Sequence, residues 1–293
     1  MRLIDTHCHL ANPRLHDQLE GVLARARQGG VELLIAATSD LADSVASAQI
    51  AAAHAGVYCT AGIHPHEAKN APEGWEKTLD NLLVGSTATA SPRSAGGFNG
   101  NGQEAASARS AGGFKGKCLA LGEIGLDYHY DFSPRPVQQA LFAAQLELAR
   151  KLAVPVVIHT REAFEDTLDI LDRSGLDLSR VIFHSFTGPS AQTRKIVERG
   201  CYVSFSGIVT FKNAQDVRDS ALLVPADRLL TETDAPYLSP QAVRSQKINE
   251  PANVRHVTEL LADLRKVPAE ELAQQVLANA VAAFGLQGRA EKL

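Results

Sequence analysis

Two histidines stand one residue apart near the start of the chain, in the stretch LIDTHCH from Leu3 to His9, with Asp5 two residues before the first. Neutral imidazole is a good ligand for first-row transition metals and a poor filler for a core, so the pair raises metal chemistry at once. Spacing decides whether the rings can act together. On a strand, alternate residues share a face, so Asp5, His7 and His9 point one way and Thr6 and Cys8 the other. On a helix the two rings would diverge by about 200° and could not meet one small target. A joint site therefore requires a strand, and Cys8 then faces away from it as a packing residue.

The same residue types recur further on. Six of the ten histidines lie where short apolar runs end: His7 and His9, His64 and His66, His159, and His184. Glu123 and Asp234 occupy the corresponding place in two more runs. The runs are LIDTHCH (3–9), VELLIAATS (31–39), VYCTAGIHP (57–65), CLALGEIGLDY (118–128), PVVIHTR (155–161), RVIFHSF (180–186), CYVSFSG (201–207) and RLLTETDAPY (228–237). Each reads as a strand, and amphipathic stretches lie between them. In DQLEGVLARARQGG, Leu19, Val22, Leu23 and Ala26 form an apolar stripe that Gly29 and Gly30 end. A second helix is expected over 136–155, opened and closed by prolines.

Eight strands alternating with helices predict an α/β fold with a parallel sheet, closed as a (β/α)8 TIM barrel. An open doubly wound sheet is the competing architecture, but no Gly-rich phosphate loop follows the first strand. In a barrel the loops at the C-terminal ends of the strands converge on the axis. Alternation puts Leu119, Leu121 and Glu123 on one face, and likewise Val157, His159 and Arg161. Apolar members fill the interior while polar ones cap it. Four imidazoles and two carboxylates meeting at one mouth suit two divalent cations, since a carboxylate can bridge two ions.

One segment departs from the pattern. Residues 86–116 are rich in Ser, Ala and Gly, and ASPRSAGGFNG (90–100) recurs as ASARSAGGFKG (106–116), identical at nine of eleven positions. Such composition cannot offset ordering entropy, so a flexible insertion before strand four is expected. Without it the chain, residues 1–293, is close to the ~250 residues of one barrel domain. A flexible arm touching nucleic acid through Arg93, Arg109, Lys115 and Lys117 is the functional alternative. Net charge is −4, which excludes a general basic field for nucleic acid, so phosphate recognition must be local. The four cysteines, Cys8, Cys59, Cys118 and Cys201, are far apart and read as buried thiols. No leader is apparent and no apolar run approaches the ~18 residues of a membrane span, so a cytoplasmic protein without a membrane or obligate protein partner is expected.

LIDTHCHL, AGIHPHEA, GEIGLDYHY, PVVIHTREA, HSFTG and ETDAPYL, in this order, resemble the TatD family of metal-dependent hydrolases and deoxyribonucleases. The likeness runs from Leu3 to about Phe284, interrupted by the 86–116 segment. It implies an amidohydrolase-like barrel with His7, His9, Glu123, His159, His184 and Asp234 as ligands to two divalent cations, Mg2+, Mn2+ or Zn2+. It also implies phosphodiester cleavage, typically by a DNA exonuclease. The insertion departs from the family's compact link before strand four and could alter substrate access.

On this resemblance Glu123 bridges the cations, His7 and His9 hold one, and His159 and His184 hold the other. Asp234 binds a metal and accepts the proton of the attacking water, so Glu123 and Asp234 are the catalytic carboxylates. His64 and His66, in the family's HPH block, contact substrate or leaving group, with loop packing as the alternative. Arg161 either holds a phosphate oxygen or forms a surface salt bridge. Asp5 and Glu232 orient ligand histidines. In VRSQKINEPANV (243–254), Arg244, Lys247 and Asn249 meet the nucleic-acid backbone, or Asn249 to Pro251 cap the next helix. The expected partner is a DNA end, single-stranded in the simplest case, gripped at one or two nucleotides, because aromatics make up only 5% of the chain. Metal-activated water serves carbonyl centres too, so an ester or amide hydrolase of aminoacyl-tRNA deacylase or lactonase type is the alternative. A non-catalytic scaffold is the third reading.

Overall fold

The computed structural model describes residues 1–87 and 116–287. Its strands are β1 Leu3–Cys8, β2 Val31–Ala36, β3 Val57–Ala61, β4 Cys118–Asp127, β5 Val156–Arg161, β6 Val181–Phe183, β7 Tyr202–Phe205 and β8 Leu229–Thr231. All pair in parallel, in chain order. The ring closes where the chain leaves β8: the Asp234 amide donates to the His7 carbonyl at 2.9 Å and the His9 amide to the Ala235 carbonyl at 2.7 Å. The expected TIM barrel forms, with a strand in each of the eight runs.

Every residue of β1, β3 and β4 is buried, as both faces of a parallel barrel strand must be. Outward side chains meet the helices α1 Pro13–His16, α2 Leu19–Gln28, α3 Leu41–Ala53, α4 Trp75–Thr87, α5 Arg135–Leu152, α6 Phe164–Arg173, α7 Ser190–Glu198, α8 Gln215–Leu223, α9 Val254–Arg265 and α10 Ala269–Phe284. Helix α2 buries Val22, Leu23 and Ala26 of the expected stripe. Helix α5 buries Leu141, Phe142, Leu146 and Ala149, and ends where Ala153 turns to φ 51°. Pro155 then offers its carbonyl to the Leu121 amide at 2.9 Å, so the closing proline belongs to the sheet rather than the helix. The four cysteines are buried thiols. Among the described residues no helix is long and apolar enough to cross a membrane.

Three differences from the sequence reading matter for the site. Strands β6 and β8 stop short, leaving His184 and Asp234 just past the last paired residues. Ser185 at φ 41° and Asp234 at φ 56° take left-handed backbone that a pleated strand cannot hold, so the chain turns as it delivers them. Helix α4 runs to Thr87, two residues into the expected insertion, and residues 88–115 lie outside the described residues. A helix-to-strand connection leaves and re-enters the barrel at its N-terminal face, opposite the histidine-bearing ends. Lys117 belongs to that far end. Its ammonium donates to the carbonyls of His54 at 3.2 Å and Val57 at 3.0 Å, so it braces the start of β3 rather than facing the mouth, while Arg93, Arg109 and Lys115, and with them the expectation that the insertion alters access, lie outside the described residues.

Between Glu123 and Asp127, Gly125 adopts φ 141° and pairs with His159, so close that an added Cβ would meet the His159 carbonyl oxygen at 2.0 Å. Gly125→Ala should therefore cost about 3 kcal/mol of stability, combining clash with backbone strain. Urea denaturation checks this, and a loss below ~0.5 kcal/mol would contradict it.

Candidate metal centre

Glu123 sits at the centre of the barrel mouth, delivered by β4 with its side chain only 4% exposed. Its two oxygens face different histidines. Oε2 lies 3.3 Å from His7 Nε2 and 3.9 Å from His9 Nε2, both brought by β1 and its end. Oε1 lies 2.8 Å from His159 Nδ1, 2.7 Å from His184 Nε2 and 3.4 Å from His64 Nε2. Asp234 completes the first side, with Oδ1 at 3.3 Å from His9 Nε2 and 3.8 Å from His7 Nε2. The six residues expected as ligands thus converge, although their strands are spread around the ring.

Outside this ring, Glu232 and Asp127 fix imidazoles, whereas Asp5, expected to do the same, binds backbone and a hydroxyl. Glu232 Oε1 lies 3.2 Å from His184 Nδ1 and also accepts the Ser185 amide at 2.7 Å, so His184 turns Nε2 to the centre. Asp5 accepts amides of His7 at 3.3 Å and Thr233 at 2.9 Å and the Thr233 hydroxyl, tying β1 to the turn that carries Asp234. Asp127, which the sequence reading passed over, plays the same part for strand five. Its Oδ2 lies 3.0 Å from both His159 Nε2 and His66 Nε2. The signal was available: Asp127 is four residues beyond Glu123 and shares its parity on β4.

The other expected contacts divide. His64 Nδ1 accepts the His66 amide at 3.2 Å, so the ring's proton sits on Nε2 and points at the centre as a hydrogen-bond donor. His66 turns to Asp127 instead. Arg161 is exposed, its guanidinium 4.7 Å from the centroid of the Tyr130 ring. Asn249 is fully buried, donating to the Thr233 carbonyl at 3.0 Å and accepting from Glu250 N at 2.9 Å and Asn253 Nδ2 at 2.9 Å. Its amide braces the loop into α9, and its burial keeps it from a nucleic-acid backbone. Arg244 lies over the Phe211 ring, 3.8 Å from its centroid.

Burial opposes charge on Glu123, but the neighbouring His184 and His64 and the hydrogen bonds of His159 and His184 outweigh it and hold the carboxyl well below its usual range. Asp127 is likewise held low, burial being overcome by bonds from His159 and His66. Burial and the nearby His184 lower His7, giving the neutral imidazole a metal needs. Both nitrogens of His7 and Glu232 Oε2 are buried without a hydrogen-bond partner. A buried imidazole without a hydrogen-bond partner, 3.3 Å from a charged carboxylate, is what a cation would satisfy, so the donor set fits a divalent metal. Three groups could hold one: His7, His9 and Glu123; His7, His184 and Glu232; and His64, Glu123 and His159.

Asp127→Asn should weaken divalent-metal affinity by about 10–100-fold, because an amide has one acceptor oxygen and cannot serve both the two rings and the His129 and Tyr130 amides as the carboxylate does. Isothermal titration reads this, and unchanged affinity would contradict the role. His64 gives a pH signature in the metal-free protein: burial pushes it down to about 4 from 6.5. A ring whose folded value lies below its unfolded one withdraws stability as pH falls through that window. Its NMR resonances should titrate near pH 4. A midpoint at the ordinary value would show an open, solvated ring.

The family described as TatD related DNase matches residues 4–285. The chain is 36% identical over 282 residues to the "Uncharacterized metal-dependent hydrolase YcfH" of Escherichia coli (strain K12), covering 95% of this chain and 94% of that one. It is 32% identical over 290 residues to the "3'-5' ssDNA/RNA exonuclease TatD" of Erwinia amylovora, covering 97% and 100%. Among solved structures, the TatD homologue YJJV of Escherichia coli K12 superposes with a TM-score of 0.81 at 29% identity, over 97% of this chain and 98% of that one. With its barrel, its carboxylate ringed by histidines and this likeness along its length, the chain belongs to the TatD family of metal-dependent hydrolases.

Proposed function

We propose that the protein is a two-metal phosphodiesterase that removes nucleotides from DNA ends, acting as an exonuclease on single strands. The observation that carries this reading is the division of donors around Glu123. His7 and His9 face one oxygen, while His159, His184 and His64 face the other. A carboxylate so placed suits a bridge between two cations, and the orphaned nitrogens of His7 support the same conclusion. A relative of similar length named as a 3'-5' ssDNA/RNA exonuclease supports the substrate class.

His7 and His9 with Asp234 would hold one cation, His159 and His184 the other, with Glu123 between them. When bound, two divalent cations polarise the phosphate, lower the pKa of water and stabilise the departing oxygen. The protein's own groups set the geometry. Asp234, held in a left-handed turn beside His9, accepts the proton of the attacking water. Its carboxyl is held low, burial notwithstanding, by bonding from His9 and by the charges of His7 and His9, so the acceptor is ionised at neutral pH. His64 offers its Nε2 proton to the leaving group or a phosphate oxygen. Glu232 and Asp127 keep His184 and His159 from rotating away.

Cleavage of an end-labelled single-stranded oligonucleotide, alongside the same sequence as a circle, tests the reading with Mg2+ or Mn2+. The linear strand should shorten stepwise, the circle should survive, and chelation should stop the reaction. A nicked circle would overturn the exonuclease assignment. Failure to cut either, with hydrolysis of a carboxylic ester, would favour the carbonyl-directed alternative. Glu123→Ala should lower turnover by at least about a thousandfold, the scale of a lost electrostatic stabiliser.

A further inference from the structure

Six large apolar side chains stand exposed among the described residues, and three are aromatic: Tyr130 at 48%, Phe132 at 55% and Tyr237 at 44%. All three lie on loops at the C-terminal face, where β4 and β8 end. Aromatic residues are scarce in this chain, so their exposure together beside the metal centre asks for a ligand. Tyr130 and Phe132 form a unit. Their rings stack with centroids 5.3 Å apart and planes 22° apart. Asp131 between them, at φ 53°, turns the chain so that both rings leave on one side.

This pair is held in place. Asp127 Oδ1 accepts the amides of His129 at 3.0 Å and Tyr130 at 2.9 Å, fixing the start of the loop. Ser133 fixes its end, donating to the His66 carbonyl at 2.9 Å and accepting the Lys69 amide at 3.1 Å, while Gln138 donates to the Ser133 carbonyl at 2.7 Å. Rigid exposed rings bind at low entropic cost. The pair also adjoins the chemistry directly. His66 meets the Phe132 ring edge-on at 4.8 Å, and His66 and His159 share Asp127 Oδ2. The Arg161 guanidinium, over the Tyr130 ring, places a permanent positive charge beside the stack. Flat apolar surface, a cation at its side and a phosphate-cleaving centre next to it match one ligand: an unpaired nucleobase attached to its phosphate.

We propose, resting on the nuclease reading above, that Phe132 and Tyr130 are the stacking platform for a nucleobase flanking the scissile linkage, with Arg161 holding that nucleotide's phosphate. The platform grips a base without reading its identity, because every base presents a π-face. It also favours single-stranded ends, since a base within a duplex is stacked on its neighbours.

The test uses the metal-loaded protein and a cleavage-resistant single-stranded oligonucleotide carrying 2-aminopurine at each of its two terminal positions in turn. At one position the fluorescence should be quenched on binding to the native protein. Phe132→Leu combined with Tyr130→Leu should abolish the quench and weaken binding about tenfold, the worth of one stacked base, whereas Phe132→Trp should restore it. In turnover, an abasic residue at the same position should raise KM by about tenfold for the native protein. The double variant should show a much smaller difference between abasic and normal ends, having no ring to lose contact with. A native protein that shortens linear DNA but leaves 2-aminopurine bright and treats abasic and normal ends alike overturns the platform and leaves the nuclease reading standing. A protein that cuts no linear nucleic acid overturns both.

Discussion

An ionised carboxylate buried at the mouth of the barrel governs this structure. Taking such a charge out of water costs several kcal/mol unless partners compensate it. Glu123 has five histidine nitrogens within 3.9 Å and almost no solvent. Imidazole protons satisfy it in part, yet His7 still has no hydrogen-bond partner at either nitrogen. Cations between carboxylate and rings would resolve both deficits together. The remaining carboxylates follow from this demand. Asp127 and Glu232 take up the outer nitrogens of His159 and His184, so that the inner ones face Glu123.

The barrel makes such crowding affordable. Its buried core is mostly apolar, and the clustered histidines and carboxylates sit at the C-terminal ends of the strands. Closure between β8 and β1 runs through the site itself, because the hydrogen bonds that complete the ring involve His7, His9, Asp234 and Ala235. Metal-site geometry and barrel integrity are thus coupled through the same backbone groups.

Much of this was legible in the sequence. Short apolar runs marked all eight strands, six of them ending in histidine or carboxylate, and parity placed Glu123, His7 and His159 on inner faces. Asp127 lies within the same 118–128 run and shares that parity, so the signal for it was present. Other features had no local signature. Asn249 read equally as a nucleic-acid contact or as part of a cap for the next helix, and only packing encloses it. His184 and Asp234 lie beyond their strands because the backbone turns left-handed at Ser185 and Asp234, conformations that neither residue type announces. The Tyr130–Phe132 stack was equally hidden. A low aromatic content argued against a broad platform, and only the turn at Asp131 brings these two rings together.

In the proposed function Glu123 would bridge two cations. Anomalous diffraction from crystals grown with Mn2+ tests it most directly. Two peaks should flank the carboxylate, one against Oε2 with His7 and His9, the other against Oε1 with His159 and His184. A single peak, or density that leaves either oxygen without a metal, would contradict the account.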